Sequence, residues 1–394
     1  IVNKDQTFTL ATDTTDFAGN MKVKGSDENE IFYDHIRYLG AQREKLNALN
    51  AEFQALEDKE SASAQALKDN MQGLNDGVLE ARRELRTDNP RSLAAVVLTA
   101  SDMPKIPDAP EGAEENWQFF YYRAHFWDNL DLGDSRMVRT PVYKQKVDEY
   151  LDKLTYQQAD SLIPIVDSLI SWSSPEDDAY QYMVSSLLNK YAEKANKIMG
   201  MDGVYLHIVE KYYASGLAWW IDPDQLEEII KKAEKLSPII IGRPGLDFAA
   251  PGVDDKPVSL YSMDADWTVL YFWDYDCGRC KKVTPELAQV YPKYADKGVA
   301  LYTVSINGDK ETWLKKLEEY GLDKSGGVHT SDPTRQSGFG AKYNINSTPK
   351  LFILDKDKII RYKWIGVEQL SEILDRELGL EPEEKEDDEE EAGK

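Results

Sequence analysis

The only two cysteines of the chain stand three positions apart within residues 270–286, LYFWDYDCGRCKKVTPE, and this stretch restricts the fold more than any other. Val269, Leu270, Tyr271, Phe272 and Trp273 form an apolar run rich in β-branched and aromatic residues, which predicts a buried strand. The run breaks at Asp274-Tyr275-Asp276 and delivers Cys277, then Gly278, Arg279 and Cys280. A helix-compatible pattern follows through Val283, Leu287 and Val290. Cys277 is therefore expected at the N-terminus of a helix, with Cys280 one turn further along. There the helix dipole and the unpaired first amides favour a thiolate over a thiol. Arg279 adds a positive charge between the sulfurs, while Asp274 and Asp276 oppose it. With two residues between them, the sulfurs can close a small disulfide and reopen it by thiol exchange.

Other uses of the pair are weaker. Zinc takes four ligands, and His35, His125, His207 and His329 are scattered without helical i, i+4 pairing, so no metal and no cofactor is expected. A purely structural disulfide across so short a loop would restrict the unfolded chain little. A peroxidase would need Thr or Ser three residues before the reactive cysteine, and Asp274 stands there.

Pro285 lies five residues after Cys280, and residues 343–355 read YNINSTPKLFILD. With the CxxC these features resemble thioredoxins, in which a proline kinks the active-site helix and a cis-proline strand faces the cysteines. Residues 240–380 as a whole are similar to the TlpA/ResA-type thiol-disulfide oxidoreductases of bacterial envelopes. The resemblance implies a thioredoxin-like α/β domain with a mixed sheet. It gives catalytic roles to Cys277 and Cys280, a substrate-binding role to Thr348 and Pro349, and tuning roles to Arg279, Asp276 and Pro285. It further implies a protein disulfide as substrate, a membrane electron donor, and a periplasmic or envelope-attached location. Three positions depart from the family: Asp276 replaces the usual Trp, Tyr271 a buried Asp, and Val283 a frequent Glu. These departures leave Cys280 without an evident acid-base partner. They also keep a competing reading alive, in which the helical region docks a partner and the redox domain is slow or vestigial.

Length and charge set the remaining bounds. With 394 residues and 41% hydrophobic content the chain can hold two or three domains. A formal charge of −24 argues against nucleic acid as a partner, since phosphate binding needs clustered Lys and Arg. No run approaches the length of a membrane-spanning helix. The start at Ile1 suggests a processed or cut chain, with any signal or anchor segment upstream.

Residues 1–25 alternate in a β-prone pattern and read as the end of a truncated β domain. Residues 26–87 carry two apolar stripes at helical spacing, one long helix or a helical hairpin interrupted near Ser61. Such stripes are packing surfaces, with dimerisation through them as the alternative. Residues 88–237 are read as an all-helical domain, and the aromatic block Trp117, Phe119, Phe120, Tyr121, Tyr122, Phe126 and Trp127 as its core. This region resembles the uncharacterised helical domain ahead of TlpA-like modules in Bacteroidetes envelope proteins. Residues 238–380 then form the redox domain, with residues 257–261 as an edge strand, and the acidic residues 381–394 a disordered tail.

Overall fold

The computed structural model describes residues 7–195 and 197–380, so the acidic tail lies outside the described residues. The chain divides into two compact units between Ser186 and Leu187.

The first unit opens with an antiparallel hairpin of β1 (Thr9–Ala11) and β2 (Lys22–Lys24). Two long helices follow, α1 (Asp27–Ala55) and α2 (Ala62–Asp88). Ser26 accepts from the Asn29 amide and Ser61 from the Ala64 amide, so each helix has its own N-cap. Residues 26–87 are thus a helical pair rather than one rod, tied by the Tyr38 hydroxyl donating to the Gly77 carbonyl at 3.3 Å. The short α3 (Leu93–Thr99) buries Leu93, Ala94, Ala95 and Val96. Its N-terminus is held by Glu28 of α1, whose carboxylate accepts from the Ser92 hydroxyl and the Leu93 and Ala94 amides at 2.6, 2.9 and 2.8 Å. A carboxylate there satisfies amides that lack intrahelical partners and meets the positive end of the dipole.

The aromatic block corrects the sequence reading. It forms α4 (Trp117–Ala124), none of whose residues is buried; Phe119 is 38% and Phe120 48% exposed. Its rings instead stack along the helix one turn apart, Trp117 on Tyr121 at 5.2 Å and Tyr121 on His125 at 4.3 Å. Phe126 is buried in a small core with Tyr150 and Leu154, and the half-buried Tyr122 and Trp127 pack against it. The helices α5 (Pro141–Lys153), α6 (Ala159–Ser173) and α7 (Asp177–Lys194) complete this region, and the division between units falls inside α7. It lies well upstream of the 237/238 boundary read from the sequence.

The second unit therefore includes helices as well as the sheet. The helix α8 (Met201–Ile208) runs on into a π-helical turn over Val209–Tyr213. Next, α9 (Pro223–Leu236) starts from an Asp222 cap with proline at its first position, the arrangement that proline's fixed φ favours. The strands β3 (Ala249–Pro251) and β4 (Pro257–Ser259) pair with each other, and Gly252 just past β3 makes a single antiparallel bridge to Thr330. The expected edge strand over residues 257–261 is thus half of a small hairpin that touches the main sheet at one bridge. Asp247 explains its early end: the carboxylate accepts from the Ser259 hydroxyl and the Tyr261 amide, pulling the chain into a 3-10 turn.

The main sheet is built from β5 (Trp267–Trp273), α10 (Cys280–Val290), β6 (Val299–Ser305), α11 (Lys310–Glu319), α12 (Leu322–Ser325), β7 (Val328–Ser331), α13 (Phe339–Lys342), β8 (Lys350–Asp355), β9 (Ile360–Lys363) and α14 (Val367–Glu377). The strand order is β7-β6-β5-β8-β9, with β5, β6 and β7 parallel and β8 and β9 antiparallel to their neighbours. Covered on both faces, β5 reads as a continuous apolar run. Alternate residues part to opposite sides. Val269, Tyr271 and Trp273 join Leu287, Leu370 and Leu374 beneath α10 and α14. On the opposite face Phe272 meets the rings of Phe248, Phe339, Tyr343 and Phe352. The edge strand β9 carries Lys363, whose fully buried ammonium pairs with Asp202 of α8 and donates to the Ile239 carbonyl at 2.7 Å.

Candidate redox site

The site forms where β5 ends. Past Trp273 the chain turns through residues 274–279, and α10 begins at Cys280 with Arg279 as its cap. Cys277 thus precedes the helix, although its carbonyl already accepts from the Lys281 amide at 3.1 Å. The turn is fixed by the Asp274 carboxylate, which accepts from the Asp276 amide at 2.7 Å, and by the Cys277 amide donating to the Asp274 carbonyl. Behind it the buried Tyr275 ring lies over Gly308, where φ is +85° and a Cβ would fall 1.4 Å from the tyrosine oxygen. Glycine at 308 is therefore required twice, by backbone conformation and by space.

Both cysteines are free thiols, Cys277 half-buried and Cys280 buried. The Cys277 Sγ accepts from the Cys280 amide at 3.5 Å and donates to the Thr348 carbonyl at 3.4 Å. Partial burial alone would push the Cys277 thiol up. The Cys280 and Arg279 amides and the side chains of Cys280 and Thr348 outweigh it, so its pKa lies below the ordinary thiol value. Burial dominates at Cys280, whose thiol is pushed up to about 12. The pair is thus asymmetric, with a reachable sulfur poised to ionise and a protonated one behind it.

Of the predicted site residues, Thr348 lies against the Cys277 sulfur, and Pro349 follows it across a cis peptide bond on the loop entering β8. Arg279 and Asp276 are exposed, and Arg279 acts on Cys277 through its backbone amide. Pro285 sits inside α10, where its missing amide leaves one helical bond unmade. Thr284 was not singled out by sequence reasoning. It lies four residues after Cys280 on the same helix face and bonds the Tyr271 hydroxyl at 2.9 Å. That spacing was available as a signal. Among the described residues no three His, Cys, Asp or Glu side chains gather to hold a metal, and no helix is long and apolar enough to cross a membrane.

Comparison with known proteins agrees with this geometry. Two family models match, a domain of unknown function (DUF5106) over residues 57–237 and the AhpC/TSA family over residues 241–363. The thiol:disulfide interchange protein DsbE of Pseudomonas aeruginosa is 27% identical over 167 residues, 42% of this chain and 81% of that protein. The thiol-disulfide oxidoreductase ResA of Bacillus cereus is 27% identical over 135 residues, 34% of this chain and 75% of its own length. A thioredoxin-like protein from Bacteroides caccae shares the fold at 18% identity, with a TM-score of 0.53 over 69% of this chain and 97% of the other. The chain thus joins a DUF5106 domain to a thioredoxin-like domain of the AhpC/TSA family, with thiol-disulfide oxidoreductases as its relatives.

Proposed function

We propose that this protein is a thiol-disulfide oxidoreductase that reduces protein disulfides in the cell envelope. The observation that carries the reading is the unequal pair of sulfurs, with Cys277 half-exposed and easily ionised and Cys280 buried and protonated. The Cys277 thiolate attacks a substrate disulfide, forming one mixed disulfide and releasing one substrate thiol. Cys280 then attacks Cys277 Sγ, closing the 277–280 disulfide and releasing the second substrate sulfur. The backbone of Thr348 and Pro349 borders the sulfurs and offers the substrate chain a strand-like partner. A dithiol donor, on this reading a membrane protein, returns the pair to its reduced form. The location and the reducing direction rest on the resemblance to envelope oxidoreductases, while the names of the relatives support thiol-disulfide exchange itself.

The test is reduction of a model protein disulfide by wild type, Cys277→Ser and Cys280→Ser. Loss of roughly a hundredfold or more is expected in Cys277→Ser, and Cys280→Ser should accumulate the mixed disulfide. A Cys277→Ser protein working at the wild-type rate would end this mechanism. A docking role for the helical region draws on one observation, the exposed Phe119 and Phe120 of α4. It predicts that replacing both rings with Ser abolishes function while leaving disulfide reduction intact.

A further inference from the structure

The resolving sulfur is buried and protonated, and among the described residues no carboxylate side chain acts on it. The side chains around Cys280 are Cys277 from the preceding turn, Tyr271 from β5, Thr284 from α10, Thr348 from the loop before β8, and Tyr320 at the end of α11. Asp276 acts on Tyr320 from the exposed side of the turn, and Asp274 reaches Cys280 through its backbone amide. Of these groups Tyr271 and Thr284 are linked, hydroxyl to hydroxyl, at 2.9 Å. Both are essentially inaccessible, at 1% and 0% exposure, as is Cys280 at 0%. Cys280 and Thr284 share a helix face at i, i+4, so the bond to Thr284 places the Tyr271 oxygen on the Cys280 face of α10, within the same buried cluster.

Resting on the thiol-exchange reading above, we propose that the Tyr271–Thr284 hydroxyl pair supports the resolving step by donating a hydrogen bond to the Cys280 sulfur as it becomes a thiolate. The resolving step breaks the bond between Cys277 Sγ and the substrate sulfur and forms the bond between Cys277 Sγ and Cys280 Sγ. The electron pair leaves on the substrate sulfur, which takes up the proton that Cys280 loses. No further oxidant or reductant enters. Tyr271 does not itself ionise, because burial drives its pKa far upward, so its proton stays available for donation at every working pH. Either hydroxyl of the pair can donate to the other, so Thr284 can turn its proton toward Tyr271 when Tyr271 turns toward sulfur. A hydrogen bond to an ionised acceptor is about twice as strong as a neutral one, so the pair favours the thiolate over the resting thiol. Tyr271 is thus a positioning residue in the place where thioredoxins bury a carboxylate, and it works as a donor where a carboxylate would accept.

The test follows the two chemical steps separately in full-length protein, using a glutathione disulfide as substrate and quenched samples analysed by mass. In Tyr271→Phe the first attack by Cys277 should stay within about twofold of wild type. The Cys277–glutathione adduct should live about tenfold longer or more, and the pH midpoint of its decay should move upward. Thr284→Val should act in the same direction, and Thr284→Ser, which keeps the hydroxyl, should restore wild-type decay. An adduct lifetime and pH midpoint unchanged in Tyr271→Phe would overturn the proposal while leaving the exchange reading intact. Should Tyr271→Phe fail to fold, wild-type decay in a folded Thr284→Val would overturn it equally. A wild-type protein that never forms the adduct would instead remove the exchange reading, and this proposal with it.

Discussion

The two thiols of the site shift in opposite directions, and stability should follow. Hydrogen bonds hold the Cys277 pKa below that of the unfolded chain, so the folded state binds fewer protons there. Stability of the reduced protein therefore rises with pH between the folded and unfolded pKa values of Cys277. Cys280 does the reverse: its folded pKa of about 12 lies above the unfolded value, so its contribution is complete below the unfolded pKa and is lost as pH climbs toward 12. Denaturant titrations of reduced wild type and Cys277→Ser across this range should show the rising limb only in wild type. The Gly308 position gives a steric prediction. Gly308→Ala must displace Tyr275 and strain a backbone at φ +85°, at a cost of about 1–3 kcal/mol. Because Tyr275 belongs to the turn carrying Cys277, alkylation of Cys277 should change in the same variant.

At the scale of elements, β9 is joined to α8 by the fully buried Lys363–Asp202 pair. Burial lowers the Lys363 pKa and raises that of Asp202, and each partner opposes the shift of the other. Breaking such a pair from one side strands a buried charge. Lys363→Met should cost about 3–5 kcal/mol, whereas Lys363→Met with Asp202→Leu should recover most of it. Equal instability of the single and double variants in urea titration would contradict this. The joint also shows what the sequence concealed. The β5 pattern, the CxxC and the Thr-Pro strand were legible because each depends on neighbouring residues, whereas the break near Ser61 could be read only as one of two alternatives. The pairing of β3 with β4, the exposed face of α4, and the grouping of α8 and α9 with the sheet depend on partners far along the chain. Lys363 and Asp202, 161 positions apart, carry no local mark of their pairing. The Tyr271–Thr284 bond lies between: its residues were visible, but only the strand-to-helix packing brings them together.

The whole molecule carries a formal charge of −24, which bears on partner choice rather than on fold. A strongly negative field attracts basic substrates and repels acidic ones. Reduction of a basic disulfide protein should outpace that of an acidic one at low salt, and the difference should shrink as the Debye length falls to about 8 Å near physiological ionic strength. Rates independent of substrate charge and salt would remove this role for the field. Function on this reading depends on one sulfur being ready to react while the other waits. The most direct test is the pH dependence of alkylation in the reduced protein, with modified residues assigned by mass. Cys277 alone should be modified, with a midpoint below that of an ordinary thiol, and Cys280 should stay unreactive until far more alkaline pH. Equal reactivity of the two thiols, or a Cys277 midpoint at or above the ordinary value, would contradict it.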